Sequence, residues 1–222
     1  MHKGRSRAFS IFVPIPESQA AVTSVTSAQD LAHVEELFER IGLGRLVRPM
    51  PPRALWATYV FVNGFLSIAL LALLAVVTGV PFVLPSLGPT AYQLFFSPRA
   101  ESSAPRNTLI GHLLGLICGY AAFRVAGMPV SAVLASGDFD WRPVVAAALS
   151  LATTAALMIV FKASHPPAGA TTLIVSLGII TRPPYLVIIE IAVLVLTVHA
   201  FCISRLAGFP YPVWKAPQPS VC

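Results

Sequence analysis

The chain has 222 residues, 56% of them apolar and only 11% charged, with a mean hydropathy of +0.77. A soluble domain carries roughly 25% charge, so a soluble fold, a disordered chain and a coiled coil are excluded. Three scattered cysteines (Cys118, Cys202, Cys222) support neither a disulfide framework nor a zinc site, and the composition is that of an integral membrane protein.

The net charge of +6 is resolved by position. Seven basic residues (Lys3, Arg5, Arg7, Arg40, Arg45, Arg48, Arg53) precede the first long apolar run, the cytoplasmic flank that the positive-inside rule expects. Nucleic acid would need a basic face on a soluble domain, and none is present. Residues 1–53 are expected to form a separate N-terminal region. Residues 1–26 are polar and aperiodic and read as mobile. From Asp30 onward Leu31, Val34, Leu37, Phe38 and Ile41 recur at helical spacing, which predicts an amphipathic helix over about 30–42. Ser27 followed by Asp30 is a capping start, and Gly42 and Gly44 are the stop. The helix is expected to lie on the bilayer surface or on the bundle, with docking to a partner as the alternative.

No charge occurs between Arg53 and Arg99, and 54–80 is long enough to cross a hydrocarbon core of roughly 30 Å. Three further spans are predicted at about 108–125, 143–161 and 185–204. Trp56, Tyr59, Trp141 and Tyr185 lie near span ends, as aromatic belts do. The fold class is therefore all-α, a polytopic membrane helix bundle over 54–205, followed by a C-terminal tail at 206–222.

Two shorter apolar stretches, 81–96 and 164–178, open with Pro and Gly before becoming helix-forming. Proline breaks a continuous helix, and non-helical backbone at membrane depth survives only where protein or a wet cavity satisfies it. Long helix, broken short helix, long helix describes both 54–127 and 143–205, a weak internal repeat. Paired breaks at equivalent places in two halves point to a transporter binding site. If the short segments span, there are six crossings and inverted halves; if they re-enter, there are four and the halves are parallel. In the first version Arg99, Arg106 and Lys162 lie inside and Asp138 and Asp140 outside. Positive-inside counting favours that version.

At Ser164-His165-Pro166-Pro167-Ala168-Gly169-Ala170-Thr171 the sequence resembles the HPP family of integral membrane proteins, named for His-Pro-Pro. The resemblance extends to Leu87-Gly88-Pro89-Thr90-Ala91, Pro105-Arg106-Asn107 and Gly111-His112, and so covers most of residues 50–205. It implies four membrane-spanning helices. Chloroplast and cyanobacterial members are associated with nitrite transport, and some bacterial members carry CBS domains, which are not expected within these 222 residues. A bacterial inner membrane is the expected location, a chloroplast envelope the alternative, with both termini cytoplasmic.

A membrane site for nitrite or nitrate needs hydrogen-bond donors without a large trapped charge. A helix N-terminus offers unpaired N–H groups and a partial positive charge. The two broken helices are expected to aim such ends at a shared anion. Gly88 and Gly169 would allow close approach, with hydroxyls from Ser86, Thr90, Ser164, Thr171 and Thr172. His165 is the leading candidate for donating to the anion; the alternative is a histidine held by backbone carbonyls freed at the break. His112, beside Gly111, Gly115 and Gly119, is either a functional or a packing histidine. That glycine face would pack within one chain or between two copies as a homo-oligomer. Glu190, the acid well inside a predicted span, is a candidate for proton coupling, or else pairs with Arg182 or Arg106. Arg99, Arg106 and Lys162 are expected to form a basic mouth that concentrates anions, or to anchor the interface.

The leading expectation is a permease or channel for a small inorganic anion. A scaffold or sensor acting through the N-terminal helix is the alternative. The sequence lacks His-Glu-x-x-His, Gly-x-Ser-x-Gly and paired intramembrane carboxylates, so no enzyme activity, metal or cofactor is expected. It also lacks a nucleotide-binding loop.

Overall fold

The computed structural model describes residues 27–127 and 141–216, so residues 1–26, Asp138 and Asp140 lie outside the described residues. The described residues form helices and no strand. In chain order they are α1 (Ala28–Arg40), α2 (Gly44–Val47), α3 (Pro52–Thr78), α4 (Leu87–Phe96), a 3-10 turn (Glu101–Ser103), α5 (Pro105–Val125), α6 (Trp141–Val160), α7 (Ala168–Ser176) and α8 (Pro183–Leu206). α3, α5, α6 and α8 are each long and apolar enough to cross a membrane. They match the four predicted runs.

Local chemistry sets the boundaries. α1 starts with a reciprocal capping box: the Asp30 N–H donates to the Ser27 Oγ at 3.2 Å, and the Ser27 N–H donates to the Asp30 carboxylate at 2.9 Å. α3, α5 and α8 each begin with proline, whose missing N–H costs nothing in the first turn. α3 stops at Gly79, whose φ of +69° suits a residue without a Cβ. Phe61, Phe65, Val76 and Val77 stand outward and exposed along α3, the surface a lipid-facing helix presents.

Contacts at the two ends trace the path. At one end the Arg40 guanidinium donates to the Leu206 carbonyl at 3.1 Å, and Asp30 pairs with Arg99 at 2.8 Å. There too the Arg106 N–H donates to the Trp214 carbonyl at 3.0 Å, and its guanidinium donates to the carbonyls of Phe161 and Lys162. The start of α3, the end of α4, the start of α5, the end of α6 and the end of α8 are therefore at this terminal end. At the opposite end Ala122 and Val125 of α5 line a cavity with Trp141 and Ala146 of α6, and Pro81 and Leu84 line another with Ile179–Arg182.

The 27-residue α3 rises about 40 Å. The chain then returns through the extended stretch 80–86 and the ten residues of α4. The second half makes the converse journey through α6, the stretch 161–167, α7 and α8. Each half therefore traverses the bundle three times, and the halves are inverted. The short segments traverse rather than re-enter.

Two open alternatives are resolved here, and one expectation needs correction. The glycine face of α5 is used inside the chain: a Cβ on Gly111 would sit 2.8 Å from the His165 Cβ, and one on Gly119 would sit 2.7 Å from the Thr172 carbonyl oxygen. It is a seat for α7 and its lead-in, the within-chain packing of the two alternatives. The segment after α8 is also more than a tail, because Phe209 and Tyr211 are buried, Phe209 among His33, Trp56 and Tyr59. Finally, α1 lies on the bundle, burying Val34, Leu37 and Phe38.

Candidate functional site

Where the breaks of the two halves meet, α5 supplies the link. His112, the eighth residue of α5, lies about 10 Å along it from the terminal end. One ring nitrogen, Nε2, is 2.8 Å from the Thr90 Oγ1 of α4, and Nδ1 is 2.8 Å from the Thr171 Oγ1 of α7. All three side chains are fully buried. Both threonines occupy the fourth position of a short helix, so the imidazole ties together the N-terminal turns of two broken helices. A neutral imidazole donates from one nitrogen and accepts at the other, and hydroxyls rotate to suit either role.

His165 packs beside this bridge, its ring centroid 5.1 Å from that of His112. Its Nδ1 is 2.7 Å from the Ser102 carbonyl. A carbonyl only accepts, so Nδ1 carries the proton. Nε2 is buried and has no hydrogen-bond partner among the described residues. In a neutral ring Nε2 is an acceptor, whereas the sequence reading had His165 donating to an anion. The partner carbonyl also comes from the loop after α4, not from the proline break.

The α7 opening departs from expectation in a second way. The N–H groups of Ala168, Gly169 and Ala170 donate to the carbonyls of His165, Pro166 and Pro167 at 3.0, 3.0 and 3.1 Å. The two prolines have no N–H. This helix end therefore satisfies itself through a 3-10 turn and presents no crown of free donors to an anion. Gly169 serves packing, since a Cβ there would meet Leu151 at 3.1 Å. Thr172 faces Thr154 at 3.2 Å and its own helix at the Ala168 carbonyl. Ser86 is buried with its hydroxyl unpartnered, whereas Ser164 and Gly88 are exposed.

The basic-mouth expectation is also corrected. Arg99 is neutralised by Asp30. Arg106 donates to the Phe161 and Lys162 carbonyls just past the end of α6, where a cation suits the helix dipole. It thereby holds Lys162, whose φ of 49° is unusual for a residue with a Cβ. Lys162 itself makes no side-chain hydrogen bond or ion pair among the described residues. Glu190 is half-buried on α8 with Oε2 unpartnered, and it pairs with neither Arg182 nor Arg106.

Sequence reasoning missed the hub that closes the terminal end. Loop 97–104 gives Ser102 to His165 and accepts a hydrogen bond from the Tyr211 hydroxyl at the Ser103 carbonyl. Burial, with Tyr59 nearby, pushes the Tyr211 phenol above its ordinary range, so it remains a donor. The Phe209-Pro210-Tyr211-Pro212 run was the available signal, because aromatic residues between prolines are stiff and apolar. His199, a lone histidine in sequence, meets the Ser67 hydroxyl at 3.0 Å and joins α8 to α3.

Residues 49–212 match the family described as HPP, transmembrane region. The chain is also similar to a transmembrane protein of Dictyostelium discoideum, 28% identical over 155 residues that cover 68% of this chain and 51% of that protein. It thus spans about half the length of the curated relative it matches. No solved structure matches this chain.

Proposed function

Because the chain belongs to the HPP family of integral membrane proteins, we propose that it is a proton-linked permease for a small inorganic anion, with nitrite the first candidate. The observation that carries this reading is the pair of broken helices joined at His112, with the unpartnered His165 Nε2 beside the joint. Matched breaks in inverted halves are where transporters hold solutes. Nitrite is the solute that the family resemblance suggests.

The tautomer gives the coupling. A neutral His165 offers a lone pair, which repels an anion. Protonation at Nε2 forms a second N–H and a positive charge, which together attract one. Proton and anion thus favour each other's binding, and the loaded site is electrically neutral, which lowers the cost of charge inside a membrane. Thr90 and Thr171 can turn their hydroxyls to the anion at the expense of the His112 bridge.

The test is nitrite uptake into proteoliposomes, with and without an inward proton gradient. Wild-type uptake is expected to saturate and follow the gradient, and His165→Ala to abolish the response. Folded protein that moves neither nitrite nor nitrate would overturn the proposal.

A further inference from the structure

The two breaks align residue by residue. Leu84-Pro85-Ser86-Leu87-Gly88-Pro89-Thr90 opens α4 and His165-Pro166-Pro167-Ala168-Gly169-Ala170-Thr171 opens α7, with proline, glycine and threonine in the same places. The helix that closes each half keeps register too. α5 starts at Pro105 and α8 at Pro183. Their seventh, eleventh and fifteenth residues are Gly111, Gly115 and Gly119 in α5, and Ile189, Val193 and Thr197 in α8. All six are buried, so the two helices turn matching faces into the bundle. The eighth residue is His112 in α5 and Glu190 in α8. Each lies about 10 Å along its helix, His112 from the terminal end and Glu190 from the opposite one.

The counterparts differ in chemistry. Both nitrogens of His112 are bonded, and His165 packs beside its ring. The residue in the His165 position of the first half is Leu84, which brings neither a hydrogen bond nor a charge to its end of the bundle. Glu190 is half-buried, and its Oε2 is buried with no hydrogen-bond partner among the described residues. α8 packs chiefly on α3, α4 and α5. At the depth of Glu190, α3 and α4 carry no titratable residue, and α5 carries Cys118 and the phenol of Tyr120. Nearer the opposite end stand Arg124 of α5 with Arg182 and Tyr185 at the start of α8, and no ion pair joins Glu190 to either arginine. A carboxylate at membrane depth without a counter-charge is costly. A carboxyl that keeps its proton is neutral, and its O–H can donate.

We propose that Glu190 is a proton-binding gate on the path of the anion, the counterpart in the second half of the histidines at the terminal end. With its proton, the carboxyl leaves the loaded site electrically neutral. Without it, a negative charge stands about 10 Å further along the bundle than His112 and repels the anion through a medium of low dielectric. The effect on an anion rests on the permease reading; the protonated carboxyl does not.

Two measurements on the full chain in liposomes test this. The first needs no variant and no flux. A hydrophobic carbodiimide adds to protonated carboxyls at membrane depth, and mass spectrometry of the digested protein locates the adduct. Glu190 is expected to be labelled at neutral pH and progressively less as the pH rises. An unlabelled Glu190, or labelling indifferent to pH, overturns the proton-binding carboxyl. The second compares nitrite uptake by Glu190→Gln, whose amide cannot ionise, with that of the wild type across pH. Taking their ratio removes the titration of His165, which both share. The ratio is expected to be flat while the carboxyl keeps its proton and to rise about tenfold per pH unit once it ionises. Glu190→Asp should follow the wild type. A ratio flat at every pH, or folded Glu190→Gln slower than the wild type at acidic pH, overturns the gate. A labelled wild type that moves neither nitrite nor nitrate would end the permease reading and leave the protonated carboxyl standing.

Discussion

His112 has no free nitrogen: each is taken by a threonine from a different half of the chain. In lipid there is little hydrophobic drive between helices, and close packing with interhelical hydrogen bonds takes its place. His112→Phe keeps the bulk and strands both hydroxyls, and is expected to cost about 1–3 kcal/mol of stability. Unfolding in detergent micelles checks this. Adding Thr90→Val and Thr171→Val should recover part of the loss, because no buried hydroxyl is then left unpaired. A triple variant less stable than His112→Phe would mean that the bridge is not what holds these helices. The identity of His112 as a buried polar residue was legible in its setting among glycines. Its two partners were not, because side-chain pairing across 22 and 59 positions leaves no periodic trace.

At the scale of elements, breaks and caps were the legible part. Proline starts, glycine stops and the Ser27–Asp30 box are local, so sequence suffices to find them. The docking of α1 depends on Arg99, distant in sequence, and escaped the same reasoning. That ion pair contributes at most about 1 kcal/mol, since about a third of the arginine side chain meets solvent. Asp30 also caps α1, which is worth about 1 kcal/mol more. Limited proteolysis between α1 and α2 should therefore rank wild type slowest, Arg99→Ala intermediate and Asp30→Ala fastest. Equal rates for the two variants would remove the cap from the account, and a wild-type rate for Arg99→Ala the ion pair. The α7 opening shows the converse: paired prolines announced a helix start, but whether its N–H groups were free depended on a turn geometry that composition does not encode.

For the whole molecule, the four long spans could be read from hydropathy alone, but whether the short ones crossed could not. Ten- and nine-residue helices are too short to span by themselves; the extended arms complete the distance. The inverted topology makes a prediction that the re-entrant one reverses. In membranes, Glu101→Cys should react with an impermeant thiol reagent from the side where α1 packs, and Trp141→Cys, exposed at the start of α6, from the other side. The opposite pattern would restore four crossings.

The loop between α4 and α5 has a bearing on synthesis. Its carbonyl at Ser103 is met by Tyr211, 108 residues later, and the N–H of Arg106 by the Trp214 carbonyl, in the segment after α8. Proteins that emerge in order tend to fold their early units first. Here the first three traverses enter the bilayer with their central histidine lacking Thr171 and their loop lacking its clasp. The early half thus waits, incompletely bonded, for the segment after α8 to leave the ribosome, and the nascent chain depends on the insertion machinery until then.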